Sequence, residues 1–469
     1  MNQRVQDVVQ EIINGVDYLM KKIIKNTNRR IMVELKKSLG ILRLTFYGVG
    51  TIVGAGIYTV IGAAAGQAGT DLWLSFIFAA IAASVSAMSY AELSSTYPNA
   101  GAEFIFVRKA FPKIGIPSFL TGWTIAFHSS ATIAAVLLAF SGYFNTFFNV
   151  PSLLISYGVL LALSLISITG IKKSSTANII MVSIQLLGLF ILIAVGLSET
   201  GPPKAEFFKV ESFSGTLAAT ATLFFVYTGF EHMAALGSEV KNPGKTIPRA
   251  FLLTMVFTTI IYLLISFTVL NIADPSELAK MDSPLSLAAS NLNNWLPIAL
   301  AVAALFATAN AAFSGIISIS RLLFGMASVG ELPKVMTKTN AQRVPWVTTL
   351  VVMVAVAAFL ILGDIKIVAG MSSLGALLVF VAVNIALIVL RFKAPDKERP
   401  FKVPLSIGKI TILPILAILI SFSLVIQFDW EVYVAFVGAI IVGIILDYFL
   451  DKKSKNEMDP EKEKELFNY

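Results

Sequence analysis

Apolar residues in this chain gather into long unbroken runs, not into the two- or three-to-four-residue alternation of half-buried soluble elements. Twelve runs are long enough to cross a hydrocarbon core of ~30 Å, which takes about 20 helical residues. They lie near 44–66, 72–92, 117–146, 152–170, 176–197, 214–237, 248–271, 295–321, 347–363, 367–391, 410–428 and 431–450. No connection between them is long enough to carry a core of its own. The pattern therefore predicts an all-α membrane domain over 39–450, preceded by a segment 1–38 and followed by a charged tail 451–469 that reads as solvated and disordered.

Two of the runs are interrupted by glycine at matching places, the first at Gly54-Ala55-Gly56 and the second at Thr228-Gly229. A helix inside lipid must satisfy every backbone N–H and C=O internally, so an unwound turn at membrane depth persists only where protein, water or a ligand supplies partners. Each break falls in the first helix of a five-helix half, the spacing expected of a transporter built from inverted repeats. A pair of glycine-kinked helices is the plainer alternative, since glycine is common in membrane helices. The correspondence between the halves favours a site.

Composition agrees with the run pattern. The chain is 56% hydrophobic and 14% charged, with a mean hydropathy of +0.80, far from soluble usage. If all twelve runs span and the N-terminus is cytoplasmic, the Lys and Arg residues fall on the cytoplasmic side, except for Lys204, Lys209, Lys280 and Lys366. That distribution follows the positive-inside rule and predicts a multi-pass cell-membrane protein with both termini cytoplasmic. The net charge of +8 is then a topology signature and implies no nucleic-acid partner. Cysteine is absent, which excludes disulfides and thiol chemistry.

The first 38 residues lack the apolar core and cleavage site of a signal peptide. Val5, Val8, Val9, Ile12, Ile13, Val16, Leu19, Met20, Ile23 and Ile24 share one helical face, and Lys21, Lys22 and Lys25 follow near its end. Such a helix either lies on the inner leaflet or packs on a partner or on the cytoplasmic loops; the sequence leaves both open.

In Thr51-Ile52-Val53-Gly54-Ala55-Gly56-Ile57 the glycines admit a break and a close approach. The half-helix that restarts there presents N–H groups and a positive dipole end, suited to a carboxylate. The half-helix ending at Phe224-Phe225-Val226-Tyr227-Thr228-Gly229 presents carbonyls suited to an ammonium group. The two polarities together describe an α-amino acid.

These residues also carry a resemblance. Leu39-Gly40 with Gly48-Val-Gly-Thr-Ile-Val-Gly-Ala-Gly-Ile-Tyr58, Tyr90-Ala-Glu-Leu-Ser-Ser-Thr-Tyr-Pro-Asn-Ala-Gly-Ala102, Phe225-Val-Tyr-Thr-Gly-Phe-Glu231, Glu239-Val-Lys-Asn-Pro-Gly-Lys-Thr-Ile-Pro248, Arg321 through Gly330-Glu-Leu-Pro333, and Arg399-Pro-Phe-Lys-Val-Pro404 are specific in combination. Over 38–450 the chain resembles the amino acid/polyamine/organocation transporter superfamily, and within it the prokaryotic branch akin to cationic amino acid transporters. The resemblance implies twelve transmembrane helices with a five-plus-five inverted-repeat core, discontinuous helices 1 and 6, and alternating access. It further implies that Gly54, Ala55 and Gly56 meet the substrate carboxylate and that Ile52 also contacts the substrate. The carbonyls around Phe225, Val226 and Thr228 would meet its amine, with the Phe225 ring as a gate.

Coupling is where the chain departs from its resemblance. Some proton-coupled relatives carry a lysine in the fifth helix whose ammonium stands in for sodium, and here that position is Gln185, which cannot titrate. A third-helix glutamate of some relatives is His128. Histidine titrates near neutrality and can carry a proton; the alternative is a neutral histidine hydrogen-bonded inside the bundle. Glu231 is costly in a membrane helix unless a cavity or partner receives it. Bracing the break is its first expected role and proton transfer its second. Glu239 and Arg321, at cytoplasmic helix ends, are expected to be gate or loop ion-pair residues.

Competing classes find less support. A channel would need a ring of repeated filters. An enzyme would need a constellation such as His-Glu-x-x-His or Gly-x-Ser-x-Gly, and Gly244-Lys245-Thr246 lacks the upstream glycine of a phosphate loop. The expectation is an importer of an L-amino acid, coupled to protons, with no metal and no cofactor. A sodium-coupled symporter or an exchanger is the second choice, and a non-transporting amino acid sensor the third.

Overall fold

The computed structural model describes residues 37–454 other than 113, 209, 281–283, 363–364, 427 and 429. The amphipathic pattern read in the first 38 residues lies outside the described residues except at 37 and 38. Among the described residues, nine helical stretches are long and apolar enough to cross a membrane, and three shorter apolar helices accompany them.

In chain order the helices are α1 (Ile41–Ile52), α2 (Ala55–Ala68), α3 (Leu72–Thr96), α4 (Ala102–Ala110), α5 (Gly115–Phe144), α6 (Ser152–Ile168), α7 (Ile171–Thr200), α8 (Phe213–Phe224), α9 (Glu231–Ala234) and α10 (Pro243–Ile272). After them come α11 (Pro275–Leu278), α12 (Pro284–Ser290), α13 (Leu296–Ser328), α14 (Trp346–Leu362), α15 (Ile365–Lys393), α16 (Ile412–Val425) and α17 (Trp430–Ser454). The helix α17 runs on through Ser454, and the rest of the charged tail read over 451–469 lies outside the described residues. One departure from the all-helical pattern is a short ribbon in the loop before α16. There β1 (Ser406–Ile407) pairs antiparallel with β2 (Ile410–Thr411) around Gly408, whose φ of +62° closes the turn.

The apolar runs become helices because lipid offers the backbone no alternative donors or acceptors. Their ends are set by local chemistry. The Ser212 hydroxyl accepts from Gly215 N at the start of α8, Asp274 accepts from Ser276 N at the start of α11, and α10 opens on Pro243. The carboxylate of Asp71 is buried in the turn between α2 and α3 and accepts from Glu211 N and Ser212 N, both at 2.9 Å. This anchors the start of α8 to the end of α2. At the opposite end, Leu39 pairs with Val240 in a parallel bridge, with Leu39 N donating to Glu239 O at 3.0 Å and Lys241 N to Leu39 O at 2.8 Å. The two interrupted segments are thus tied together at both ends.

One apolar core runs through α1–α3, α5, α8, α10, α13 and α15. By contrast α16 and α17 expose Leu419, Ile426, Val434 and Ile445 on their outer faces. Apolar surface facing outward is the normal state of a helix in lipid.

Candidate functional site: two broken helices in contact

The first interruption falls where the sequence places it. Helix α1 ends at Ile52, Val53 and Gly54 leave helical geometry, and α2 restarts at Ala55 with no side chain capping its N-terminus at Gly54. Unwinding frees carbonyl groups that would otherwise bond within the helix. Three side chains from distant elements take them up. Asn310 Nδ2 of α13 donates to Gly50 O at 2.8 Å, Gln185 Nε2 of α7 donates to Val53 O, and Tyr262 Oη of α10 donates to Ile52 O at 2.9 Å. Asn310 is itself oriented by Asn178, whose Nδ2 donates to Asn310 Oδ1 at 2.6 Å. All four side chains are buried.

The second interruption is braced largely by its own residues. After α8 a tight turn covers Phe225–Tyr227, Thr228 is extended, and Gly229 adopts φ +113°, a conformation that favours glycine. Thr228 donates to Phe225 O from both its backbone N (3.1 Å) and its hydroxyl (2.7 Å). Glu231 Oε2 accepts from Gly229 N at 2.8 Å, so the half-buried carboxylate holds the turn in shape.

The two interruptions touch. A Cβ at Gly229 would stand 2.8 Å from Thr51 O, and one at Gly56 would stand 3.7 Å from Val226 Cα. The hydroxyl of Tyr262 lies between them, 2.9 Å from Ile52 O and 3.1 Å from Val226 O, with its ring fully buried. One side chain of α10 thus serves both broken helices.

Of the residues singled out from sequence, Ile52, Gly54, Gly56, Val226 and Thr228 come together at this contact, and Ala55 opens α2 beside it. Phe225 is half-buried at the same place, but its carbonyl is already engaged by Thr228, as that of Val226 is by Tyr262, which leaves Thr228 O as the more available acceptor on that segment. Gln185 meets the first break and Glu231 the second. His128 is buried on α5 against Gly375 of α15 with its Nδ1 unbonded; no hydrogen bond among the described residues joins it to either break, but it lies within electrostatic reach of His232, whose backbone N donates to Gly229 O at 3.2 Å. Sequence reasoning missed Tyr262, Asn310 and Asn178. Each is a polar residue inside an apolar run, the signal that marks a buried partner.

Below the contact, at the end where Leu39 meets Val240, three buried ion pairs clamp the bundle. Arg321 Nε donates to Glu239 Oε1 at 2.9 Å, so the two residues expected in gate or loop ion pairs pair with each other. Glu92 of α3 receives Arg391 Nε at 3.0 Å, Arg399 Nε at 3.2 Å and Val403 N at 2.7 Å. A separate apolar hollow of about 230 Å³, lined by Phe119, Trp123, Phe127, Leu323 and Phe359 among others, touches neither break.

Comparison with known proteins gives the same placement. A family model described as amino acid permease matches residues 39–446. The chain is 28% identical over 453 residues to a branched-chain amino acid permease of Bacillus subtilis, covering 91% of this chain and 95% of the relative. It is 31% identical over 395 residues to cationic amino acid transporter 4 of Mus musculus, covering 78% of this chain and 62% of that longer protein. A methylthioribose transporter of Bacillus subtilis is 26% identical over 451 residues, covering 90% of this chain and 94% of the relative.

Proposed function

The chain belongs to the amino acid permease family, and on that premise we propose that it is a secondary transporter importing an L-amino acid across the cell membrane by alternating access, coupled to protons. The reading includes twelve spans, a five-plus-five inverted repeat and cytoplasmic termini. The observation that carries it is the contact between two broken helices of opposite polarity: the uncapped N-terminal turn of α2 faces the Val226 and Thr228 end of α8. The turn of α2 takes the substrate carboxylate through its dipole and backbone N–H groups. The carbonyl end takes the amine. Phe225 closes over the bound molecule.

The side chain accepted is apolar. Ile52, Phe225 and Val226 supply apolar groups at the contact, and the carboxylate beside it, Glu231, is committed to Gly229 N. A cationic side chain would need a carboxylate free to receive it. The branched-chain permease relative, matched over nearly its whole length, supports the same choice.

Sodium coupling is disfavoured by the donors at the first break. Gly50 O and Val53 O, carbonyls that could ligate a cation, receive amide protons from Asn310 and Gln185 instead. Exchange is the second reading, favoured by the same neutral amide at position 185. The test is counterflow in proteoliposomes loaded with leucine or lysine. Radiolabelled leucine should enter against a leucine load, and binding without uptake of either label would sink the transport reading in favour of a sensor.

A further inference from the structure

Three buried carboxylates lie between the broken helices and the end of the bundle that carries the ion pairs: Glu92, Glu239 and Glu103. The first two are neutralised by arginine. Glu103, in the first turn of α4 and only 3% exposed, has no lysine or arginine within ion-pair distance among the described residues. The cations on the surrounding elements are committed elsewhere. On α13, Arg321 is held by Glu239. On α15, Arg391 is held by Glu92, and Lys393 Nζ donates to Ala110 O at 2.8 Å. On α4 itself, Arg108 pairs with Glu331 at 3.1 Å and Lys109 Nζ stands over the Tyr97 ring, 5.1 Å from its centroid. Helix α5 offers His128 and Tyr143. What faces Glu103 is Tyr90 of α3 and, beyond it, Glu231 of α9.

A buried carboxylate with no cation beside it is sustained by being protonated. Tyr90 is the second element of the arrangement. Its hydroxyl is fully buried and has no well-formed hydrogen bond, while its ring packs edge-on against Phe230 at 5.5 Å and Phe380 at 5.9 Å. Phe230 sits between Gly229 and Glu231. The phenol is therefore held between Glu103 and the segment whose turn Glu231 braces.

We propose that Glu103, with Tyr90, is the proton-carrying site of the transport cycle, holding its proton while α4 is packed as seen here and releasing it when α4 opens to water in the other access state. The inference rests on the proton-coupled reading of the function and places the proton apart from the amino acid site and from His128. Burial is the physical cause: it pushes the Glu103 carboxyl up to about 8, against hydrogen bonds from its own backbone and from Tyr90 that pull it down, with the nearby Glu231 carboxylate adding to the rise. Unfolding would return Glu103 to the ordinary carboxylate range. Between that range and about 8 the folded protein therefore holds a proton that the unfolded chain does not, and stability falls as pH rises through the window.

The test compares purified wild type with Glu103→Gln, Glu103→Asp and His128→Gln in two measurements. Glutamine mimics the protonated acid, so Glu103→Gln should keep leucine counterflow but lose leucine accumulation driven by an inward pH gradient by about ten-fold. Glu103→Asp should keep part of that accumulation, and His128→Gln should resemble wild type. In thermal unfolding from pH 5 to pH 9, wild type should lose stability with rising pH more steeply than Glu103→Gln. Accumulation by Glu103→Gln equal to wild type, or its loss in His128→Gln alone, overturns the proposal. Should wild type show no counterflow of any amino acid, the transport reading falls. The unfolding profiles then still decide for Glu103: parallel curves overturn it as a proton site, and diverging curves uphold it.

Discussion

The two broken helices solve the same problem in opposite ways. At the first break the freed carbonyls of Gly50, Ile52 and Val53 are taken by Asn310, Tyr262 and Gln185, three side chains from three other helices. At the second, Thr228 and Glu231 bond back to Phe225 and Gly229 within the same short segment, and only Val226 O looks outward, to Tyr262. The first break is held by its surroundings and the second largely by itself. A movement of α7, α10 or α13 must therefore change the donors at the first break, while the second can move as a braced unit. Under the alternating access proposed above, the first break would be the responsive partner.

The contrast can be broken most severely at Gly229. Gly229→Ala forces a side chain into a φ of +113° and sets a Cβ 2.8 Å from Thr51 O. A loss of about 3 kcal/mol or more is expected, with failed purification or a sharply lowered unfolding temperature. Gly56→Val comes next. Its Cβ alone would make ordinary contact with Val226, but the branched methyls fill the space a carboxylate needs, so the protein should insert normally and lose at least about ten-fold in uptake. Normal uptake by this variant would show that the break is not the carboxylate site.

Tyr262→Phe sharpens the comparison, because it removes the donor shared by both breaks. Two buried carbonyls then lose a partner, at a cost of about 1–3 kcal/mol. Substrate affinity measured by thermal shift should fall together with stability; if stability alone falls, the hydroxyl is a strut and nothing more. The smallest effect is expected from Glu231→Gln, which retains an oxygen to accept from Gly229 N and should cost about 1 kcal/mol or less. Glu231→Leu, which deletes the acceptor, should cost more. Equal costs for the two would mean that the hydrogen bond to Gly229 N does not hold the second turn.

Much of this contrast is legible in the amino-acid sequence. Both interruptions lie where glycine cuts the runs, and Glu231 braces its break as its position suggests. That Glu239 and Arg321 enter ion pairs is likewise foreseeable, though not that they pair with each other or that Arg321 lies inside α13. Phe225 is legible only in part: its place beside the break can be read, but the engagement of its carbonyl by Thr228 cannot. His128 stands out in composition as one of two histidines, but that it packs against Gly375 and within electrostatic reach of the other histidine, His232, is not legible in the sequence.

What the sequence determined by itself is local: which stretches prefer lipid, where glycine lets the helix unwind, and which polarity each free end presents. These depend on residues within a turn or two of one another. The tertiary structure alone decided which donors meet the freed carbonyls and which acid is left without a cation. Gln185 and Val53 are 132 positions apart, and Tyr262 and Ile52 are 210 apart. Glu103 became distinctive only because the arginines around it folded onto other carboxylates. A buried polar group has no energy of its own that a sequence could display; its cost or gain is fixed by the partner that the packing of other helices brings within about 3 Å.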